Sequence, residues 1–418
     1  MGCIESTDWT EGWDRTFLNA SSALAEPVCS AYSLFRYRMV APLYPGRFDT
    51  YPCLTKEVAY RAILGLGALL SVSFCAAAPL PAACGIAFFA CGSKLMRAIG
   101  LALQKDGFTH VRGRAPEKDL EGRLKVMNWN VCGIAGGFHY DHCGVVDWKS
   151  RFQGIAKKIE TENPDVLVLE EIYDAALGEK LIERLKDKYA HFYFHMGKTV
   201  FGSVGGIMVL SKCAPYSFTH TEFETNDWTL KRGFAALEIK ARPSDRSPCA
   251  RIIGTHFIHG DEPTDRAGRV RQLAQMVDHL AKETFSLPTL LAGDLNIERD
   301  GEEGRQLLPF LEHGYKGPDA TCTNRLVAQW DCKAKSVWSE TIDYISLFKE
   351  RKELAVSKEK AEFETCYLSP AFDNTFNTRT ALSDHHAVVA TVNIDKPIAS
   401  QQPAPESEVR QRPFTRFG

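Results

Sequence analysis

Two short stretches decide the fold: LKVMNWNVCG at Leu124–Gly133 and PDVLVLEE at Pro164–Glu171. Each is an apolar run of strand length that ends in polar side chains. Between them, Trp148–Glu162 has helical spacing, with Arg151, Lys157 and Lys158 on its wet face. Further runs that read as strands follow at Gly205–Lys212, Gly233–Ala241, Ala250–Ile258, Pro288–Asn296, Thr341–Phe348 and His386–Ile394. Strands this numerous, with few helices between them, predict an α/β protein of the α+β type. Its two mostly antiparallel sheets should pack face to face.

The polar residues at these strand ends are the candidate chemistry. Asn130, Glu171, His256, Asp294, Asn296, Asp343, Asp384 and His385 all follow or interrupt apolar runs. A carboxylate at the end of a buried strand is costly unless something pairs it. One such residue alone is best explained as a satisfied core polar group. Several from separate strands are better explained by convergence on one hard cation, and oxygen ligands with few Cys or His suit Mg²⁺, Mn²⁺ or Ca²⁺. The two histidines beside them supply proton transfer and charge stabilisation for a metal-assisted hydrolysis. No G-x-S-x-G nucleophile elbow and no GxxxxGK[ST] phosphate loop is present. Glu170 reads as a support for this group or as a surface carboxylate. The row Arg266, Arg269, Arg271 and Gln272 reads as a solvated helix face rather than a substrate clamp.

At these residues the sequence resembles the endonuclease/exonuclease/phosphatase superfamily and, within it, the neutral sphingomyelinases. MNWNVCGI resembles the opening Asn motif. LVLEEIYD resembles the L-Q-E-V segment, with Glu170 where Gln is usual and Glu171 as the metal carboxylate. GGIMVLSK, GTHF, Ala292–Asn296 (G-D-x-N), Thr341–Ile345 (D-Y-I) and Ser383–His385 (S-D-H) follow in family order. The resemblance covers Leu124 to Ile394. It implies a four-layered α/β sandwich with one Mg²⁺-dependent site, Mn²⁺ being the alternative ion. Glu171, helped by Asn130, would hold the metal. Asp294 and Asn296 would position water and phosphate. His385 would act as general base, with Asp343 and Asp384 as candidate orienters. His256 would stabilise the transition-state oxyanions.

The substrate class is narrowed by departures. Inositol-phosphate phosphatases of this superfamily usually continue G-D-L-N with Tyr-Arg and carry W-x-D-R-I. Here Ile297-Glu298 and TIDYI stand in those places, which favours the sphingomyelinase side. A nuclease should show basic surface, but 50 Lys+Arg stand against 52 Asp+Glu, a net charge of −2. Nucleic acid is therefore not an expected partner, although Lys231 and Arg232 form a local basic pair. The expected partners are a membrane phospholipid substrate and the bilayer carrying it. A pure adaptor is disfavoured because every expected catalytic position holds a competent residue.

Outside this segment the chain changes character. No charged residue occurs from Ala62 to Ser93. Ala62–Ala78 and the run ending at Ser93, separated by Pro79 and Pro81, predict an N-terminal apolar helical hairpin in a membrane, since each proline removes a backbone bond. Lys56 and Arg61 before it, and Lys94, Arg97 and Lys105 after it, place both flanks on the cytoplasmic side. The expected location is thus membrane-associated, with the catalytic domain cytoplasmic. Such hairpins are similar to those of secreted bacterial proteins that insert into host vacuole membranes. A soluble buried hairpin, or one span plus an interfacial helix, are the alternatives. The start, MGCIES, fits the short myristoylation pattern, where chance is the simpler account. Thirteen cysteines without repeated CxxC spacing show no zinc site and suggest a reducing compartment. The expected units are an unassigned region 1–57, the hairpin 58–104, a linker 105–121, the catalytic domain 122–395 and a disordered tail 396–418.

Overall fold

The structure is a computed structural model that describes residues 15–21, 24, 79–104, 106–134, 137–140, 143–145, 147–197, 205–224, 231–283, 286–323, 339–349, 356, 361–371 and 381–394. Its strands in chain order are β1 (Thr109–Arg112), β2 (Arg123–Asn130), β3 (Phe138–Tyr140), β4 (Cys143–Val145), β5 (Val166–Glu170), β6 (His191–Phe194), β7 (Met208–Ser211), β8 (Pro215–Glu222), β9 (Gly233–Ile239), β10 (Ala250–His256), β11 (Thr289–Asp294), β12 (Leu311–His313), β13 (Cys322–Thr323), β14 (Ser339–Glu340), β15 (Asp343–Phe348), β16 (Ala361–Ser369) and β17 (Ala387–Ile394). The helices are α1 (Pro79–Leu103), α2 (Trp148–Glu162), α3 (Ala175–Leu185), α4 (Pro263–Leu280) and α5 (Glu302–Leu307).

One sheet runs β1-β6-β7-β5-β2-β17-β16 and the other β12-β15-β11-β10-β9-β8. Each holds one parallel pair, β2–β5 and β10–β11, among antiparallel neighbours. The period of two along each strand sorts its side chains between faces. Leu124 and Val126 of β2, and Val166 and Val168 of β5, join Leu290 and Ala292 of β11 and Ile345 and Leu347 of β15 in a core between the sheets. Met127, Trp129, Leu167 and Leu169 point the other way, onto Ile155 and Ile159 of α2 and Leu177 and Leu181 of α3. Behind the second sheet, Ile253 and Leu291 pack with Leu273 and Met276 of α4. The result is helix, sheet, sheet, helix, as expected. The sheets approach closely at Gly254, where a Cβ would fall 2.9 Å from Val168 Cγ1.

Three expectations are corrected. First, the hairpin as a membrane span is not supported: its second arm, which had either to stop short at Ser93 or to take in Lys94 and Arg97, takes them in. Helix α1 begins at Pro79 and continues through Lys94 and Arg97 to Leu103. Both prolines sit in its first turn, where the backbone N–H groups have no helical acceptor to lose. Ser93 is buried and donates to the Ser21 carbonyl at 2.8 Å, and Gln104 donates to the His195 carbonyl at 3.0 Å. The first arm, Ala62–Ala78, lies outside the described residues, and among those described no helix is long and apolar enough to cross a membrane. Second, residues 105–121 are not merely a linker. β1 pairs with β6 at the sheet edge, and Lys118 forms a 2.7 Å ion pair with Asp165. Third, the basic row on α4 is split. Arg266 and Arg271 are exposed, but Arg269 is buried in a two-armed pair with Glu303 at 2.7 and 2.8 Å. Gln272 is also buried, accepting from the Ile258 N–H at 3.0 Å. Residues 1–14 and 395–418 also fall outside the described residues.

Candidate active site

The alternation that fills the core also builds the site. Continuing the inner face of β2 beyond Leu124 and Val126 reaches Asn128 and Asn130. The same step on β5 reaches Glu170, on β11 Asp294, on β15 Asp343 and on β10 His256. Register brings these residues to one end of the sandwich. Asn130 lies across from Glu170 in one sheet, while His256, Asp294 and Asp343 form a row across three strands of the other.

Two residues join the group by breaking the alternation. Glu171 (φ 60°) and Asn296 (φ 51°) have left-handed backbones. Glu171 follows Glu170 directly, yet its side chain also turns to the site and accepts from Asn130 Nδ2 at 3.2 Å. The same Nδ2 donates to Asp294 Oδ2 at 3.1 Å, which joins the two sheets by one amide. The Asn296 N–H donates to Asp294 Oδ1 at 2.9 Å, and its Nδ2 donates to the Phe257 carbonyl at 3.1 Å.

His385 sits at the centre. Its Nδ1 is 2.9 Å from Asp343 Oδ2, and its Nε2 is 4.0 Å from Asp294 Oδ2. Burial acts to lower its pKa, but Asp343 and Asp384 oppose this and leave it well above the ordinary imidazole range. Of the two candidate orienters, Asp343 is the one in contact. The Asp384 carboxylate lies 3.2 Å from Ser383 Oγ and, with burial, raises the Glu171 carboxyl. The backbone of His385 is held on both sides. Its N–H donates to Ser383 Oγ at 3.2 Å and its carbonyl accepts from Trp129 Nε1 at 3.0 Å. Ser383 in turn donates to the Asn130 carbonyl at 2.6 Å.

His256 lies with Nε2 3.6 Å from Asp294 Oδ2. Burial, Arg232 and His385 push its pKa well down, so this ring is neutral. The nine residues drawn from the motifs (Glu170 among them) are therefore brought together. The motifs give no role to Arg151 or Tyr173, they include Ser383 only as the first residue of S-D-H, and Arg232 reads as part of a local basic pair with Lys231. Arg232 is buried, donates to the Phe257 carbonyl, and favours the charged form of Glu171. Its one signal was its place immediately before a buried strand. Arg151, read as part of a wet face, is fully buried and donates to the carbonyls of Val131, Cys132 and Leu382. His259 is exposed and stands outside the cluster.

The donor set fits a hard divalent cation. Burial raises the carboxyls of Glu170, Glu171 and Asp294, and neighbouring carboxylates push the same way. Both Glu170 oxygens and Asp343 Oδ1 are buried with no hydrogen-bond partner among the described residues. Such a cluster is short of positive charge. Ligand atoms of Asp294, Asp343 and His385 lie within 4.8 Å of one another. The short Asp343–His385 hydrogen bond already occupies Nδ1, which suits proton handling there and leaves Glu171 as the better metal carboxylate.

Comparison with known proteins agrees with the architecture. The chain is similar to sphingomyelinase C 2 of Leptospira interrogans, 23% identical over 70% of this chain, and it spans about half (49%) of that protein's length. It is 23% identical to sphingomyelinase C of Listeria ivanovii over 53% of this chain and 70% of the relative. A solved structure of D. rerio TDP2, complexed with single strand DNA product, superposes with a TM-score of 0.50 at 15% identity. It covers 65% of this chain and all of that one, a likeness of fold. The model of the endonuclease/exonuclease/phosphatase family matches residues 127–385, from the strand carrying Asn130 to the histidine at the centre of the site, and the chain belongs to that family.

Proposed function

We propose that this protein is a divalent-metal-dependent phosphodiesterase of sphingomyelinase type, hydrolysing sphingomyelin to ceramide and phosphocholine. The carrying observation is the His385 imidazole, with Nδ1 held by Asp343 at 2.9 Å and Nε2 directed toward Asp294 at 4.0 Å. This pair can take a proton from a water beside Asp294, and the Asp343 carboxylate stabilises the imidazolium that forms. Asp294 and Asn296 position that water and the phosphate. Arg232 and the neutral His256 face the charge that develops on the phosphate oxygens. Glu171 and Asn130 would hold Mg²⁺ or Mn²⁺, which when bound neutralises phosphate charge and polarises the P–O bond. The lipid assignment is supported by the similarity to two bacterial sphingomyelinases. Membrane association belongs to the same proposal and rests on the apolar composition of Ala62–Ala78, with the cytoplasmic side read from the basic flanks Lys56, Arg61, Lys94, Arg97 and Lys105.

The test uses the full chain. Sphingomyelin vesicles with Mg²⁺ should release phosphocholine, EDTA should stop the reaction, and His385→Ala should slow it by about 10² to 10⁴. Cleavage of plasmid DNA with no lipid hydrolysis would replace the lipid assignment by a nuclease. Undiminished hydrolysis in EDTA would remove the metal.

A further inference from the structure

The 2.9 Å contact between Asp343 and His385 joins residues 42 positions apart. Asp343 opens β15 of the second sheet, and His385 lies in the turn that leads into β17 of the first. Trp129 and Ser383 hold the His385 backbone to β2. They fix His385 against the first sheet and leave its place relative to Asp343 to something else. Thr321–Thr323 lies against both partners. Its last two residues are the short strand β13, which belongs to neither large sheet. All three residues are buried, and none of the sequence motifs includes them.

On one side the segment grips the start of β15. Thr321 Oγ1 accepts from the N–H groups of Ile342 and Asp343, both at 3.0 Å, and donates to the Glu340 carbonyl at 3.4 Å. A hydroxyl has one donor and two acceptor sites, so this one is used in full. On the other side the segment grips the Ser383–His385 turn. The Thr321 carbonyl accepts from the His386 N–H at 2.7 Å, and the Thr323 N–H donates to the Asp384 carbonyl at 3.2 Å. Between these two bonds Cys322 bridges to His385, and its thiol makes a hydrogen bond with the His385 imidazole. Thr321 thus holds the amide of Asp343 with its hydroxyl and the amide next to His385 with its carbonyl. A valine of the same shape would fill the space and leave two buried N–H groups without an acceptor.

We propose that Thr321 is a positioning residue for the reaction, a brace that sets Asp343 and His385 at hydrogen-bonding distance across the two sheets. The proposal rests on the reading of that pair as the proton-handling group, and not on which phosphodiester is cleaved. A displacement of about 1 Å in such a pair costs on the order of 10² in rate. In the full chain, Thr321→Val should therefore lower kcat on sphingomyelin vesicles by about 10²-fold with KM unchanged. Thr321→Ser keeps the hydroxyl and should recover most of the rate. In an Asp343→Asn background, Thr321→Val should cost almost nothing further, because the contact it positions is already lost. If the Val variant does not fold, Thr321→Ala carries the same test, since its smaller side chain leaves room for a water to serve the two N–H groups. Crystals of the Val or Ala variant should show the Nδ1–Oδ2 separation lengthened from 2.9 Å beyond hydrogen-bond reach. That readout needs no substrate, so it decides the brace even if the chain hydrolyses no sphingomyelin, a result that would remove the lipid reading alone. An unchanged kcat, equal losses in the Val and Ser variants, losses that multiply with Asp343→Asn, or a contact still at 2.9 Å would each overturn the assignment.

Discussion

His385 carries its Nδ1 2.9 Å from the buried Asp343 carboxylate, and that contact sets both its tautomer and its basicity. Burial alone would lower the imidazole pKa, so the raised value depends on the carboxylates around it. The general base must be neutral, and the rate therefore climbs as pH rises through that pKa. Asp343→Asn removes the raising charge and leaves the lowering burial. We expect the acid limb of the pH–rate profile to move to lower pH, while kcat falls by about 10² to 10⁴. A limb that stays in place would assign the orienting role elsewhere. Glu170 gives an opposite case, because this chain puts Glu where the family usually has Gln. Burial and its carboxylate neighbours raise its pKa in the folded state. A raised carboxyl pKa costs stability above the unfolded value, near 4.3, and the cost grows until pH passes the folded pKa. Glu170→Gln should thus stabilise the metal-free protein by about 1 to 3 kcal/mol at pH 8, and much less at pH 4. Urea unfolding in EDTA at the two pH values measures this, and equal effects at both would contradict it.

At the scale of elements, α2 fastens the loops that carry the chemistry. Arg151 donates to the carbonyls of Val131 and Cys132 just past β2 and to Leu382 just before the Ser383–His385 turn. A lysine ammonium is a point donor and cannot reproduce that planar fork. Arg151→Lys should cost about 3 kcal/mol through carbonyls left unpaired, each worth roughly 1 to 3. It should also lower kcat, because His385 loses its anchor. Unchanged urea midpoint and kcat would show that the fork is dispensable. The helix itself was legible: the spacing marks Trp148–Glu162, and the structure has the same bounds. What spacing could not show was that Arg151, on its apparently wet face, turns inward to loop carbonyls distant in sequence. The same limit applies to Arg269, whose partner Glu303 lies 34 residues away. Buried runs such as β5 and β10 were legible because each has an apolar stretch of strand length, with its polar site residue at the end. β8 and β16 were not, since they are half-exposed edge strands with mixed patterns. β1 is four residues long, held by pairing to β6 rather than by its own composition.

Over the whole molecule, the site is a junction between two sheets. Asn130, Glu170 and Glu171 come from one, and His256, Asp294 and Asp343 from the other. Their convergence was legible because motif order marks strand ends, and period-two alternation then aims them at a common interface. Their electrostatics were not, because mutual repulsion depends on how closely the sheets approach. Carboxyls raised by burial and by one another oppose sheet closure, and a cation among them relieves that opposition. Mg²⁺ should therefore stabilise the whole chain, by about 2.7 kcal/mol at 100 times its Kd. The pH dependence follows from the raised carboxyls of Glu171 and Asp294. They keep protons to higher pH than ordinary carboxylates, and protons compete with the metal. The melting shift produced by Mg²⁺ should thus be small near pH 5 and grow toward pH 8. Glu171→Gln should reduce the shift at every pH by removing a ligand charge, without disturbing the Asp343–His385 contact. A shift independent of pH, or one as large in Glu171→Gln as in the unaltered chain, would mean that the ion binds somewhere other than this junction.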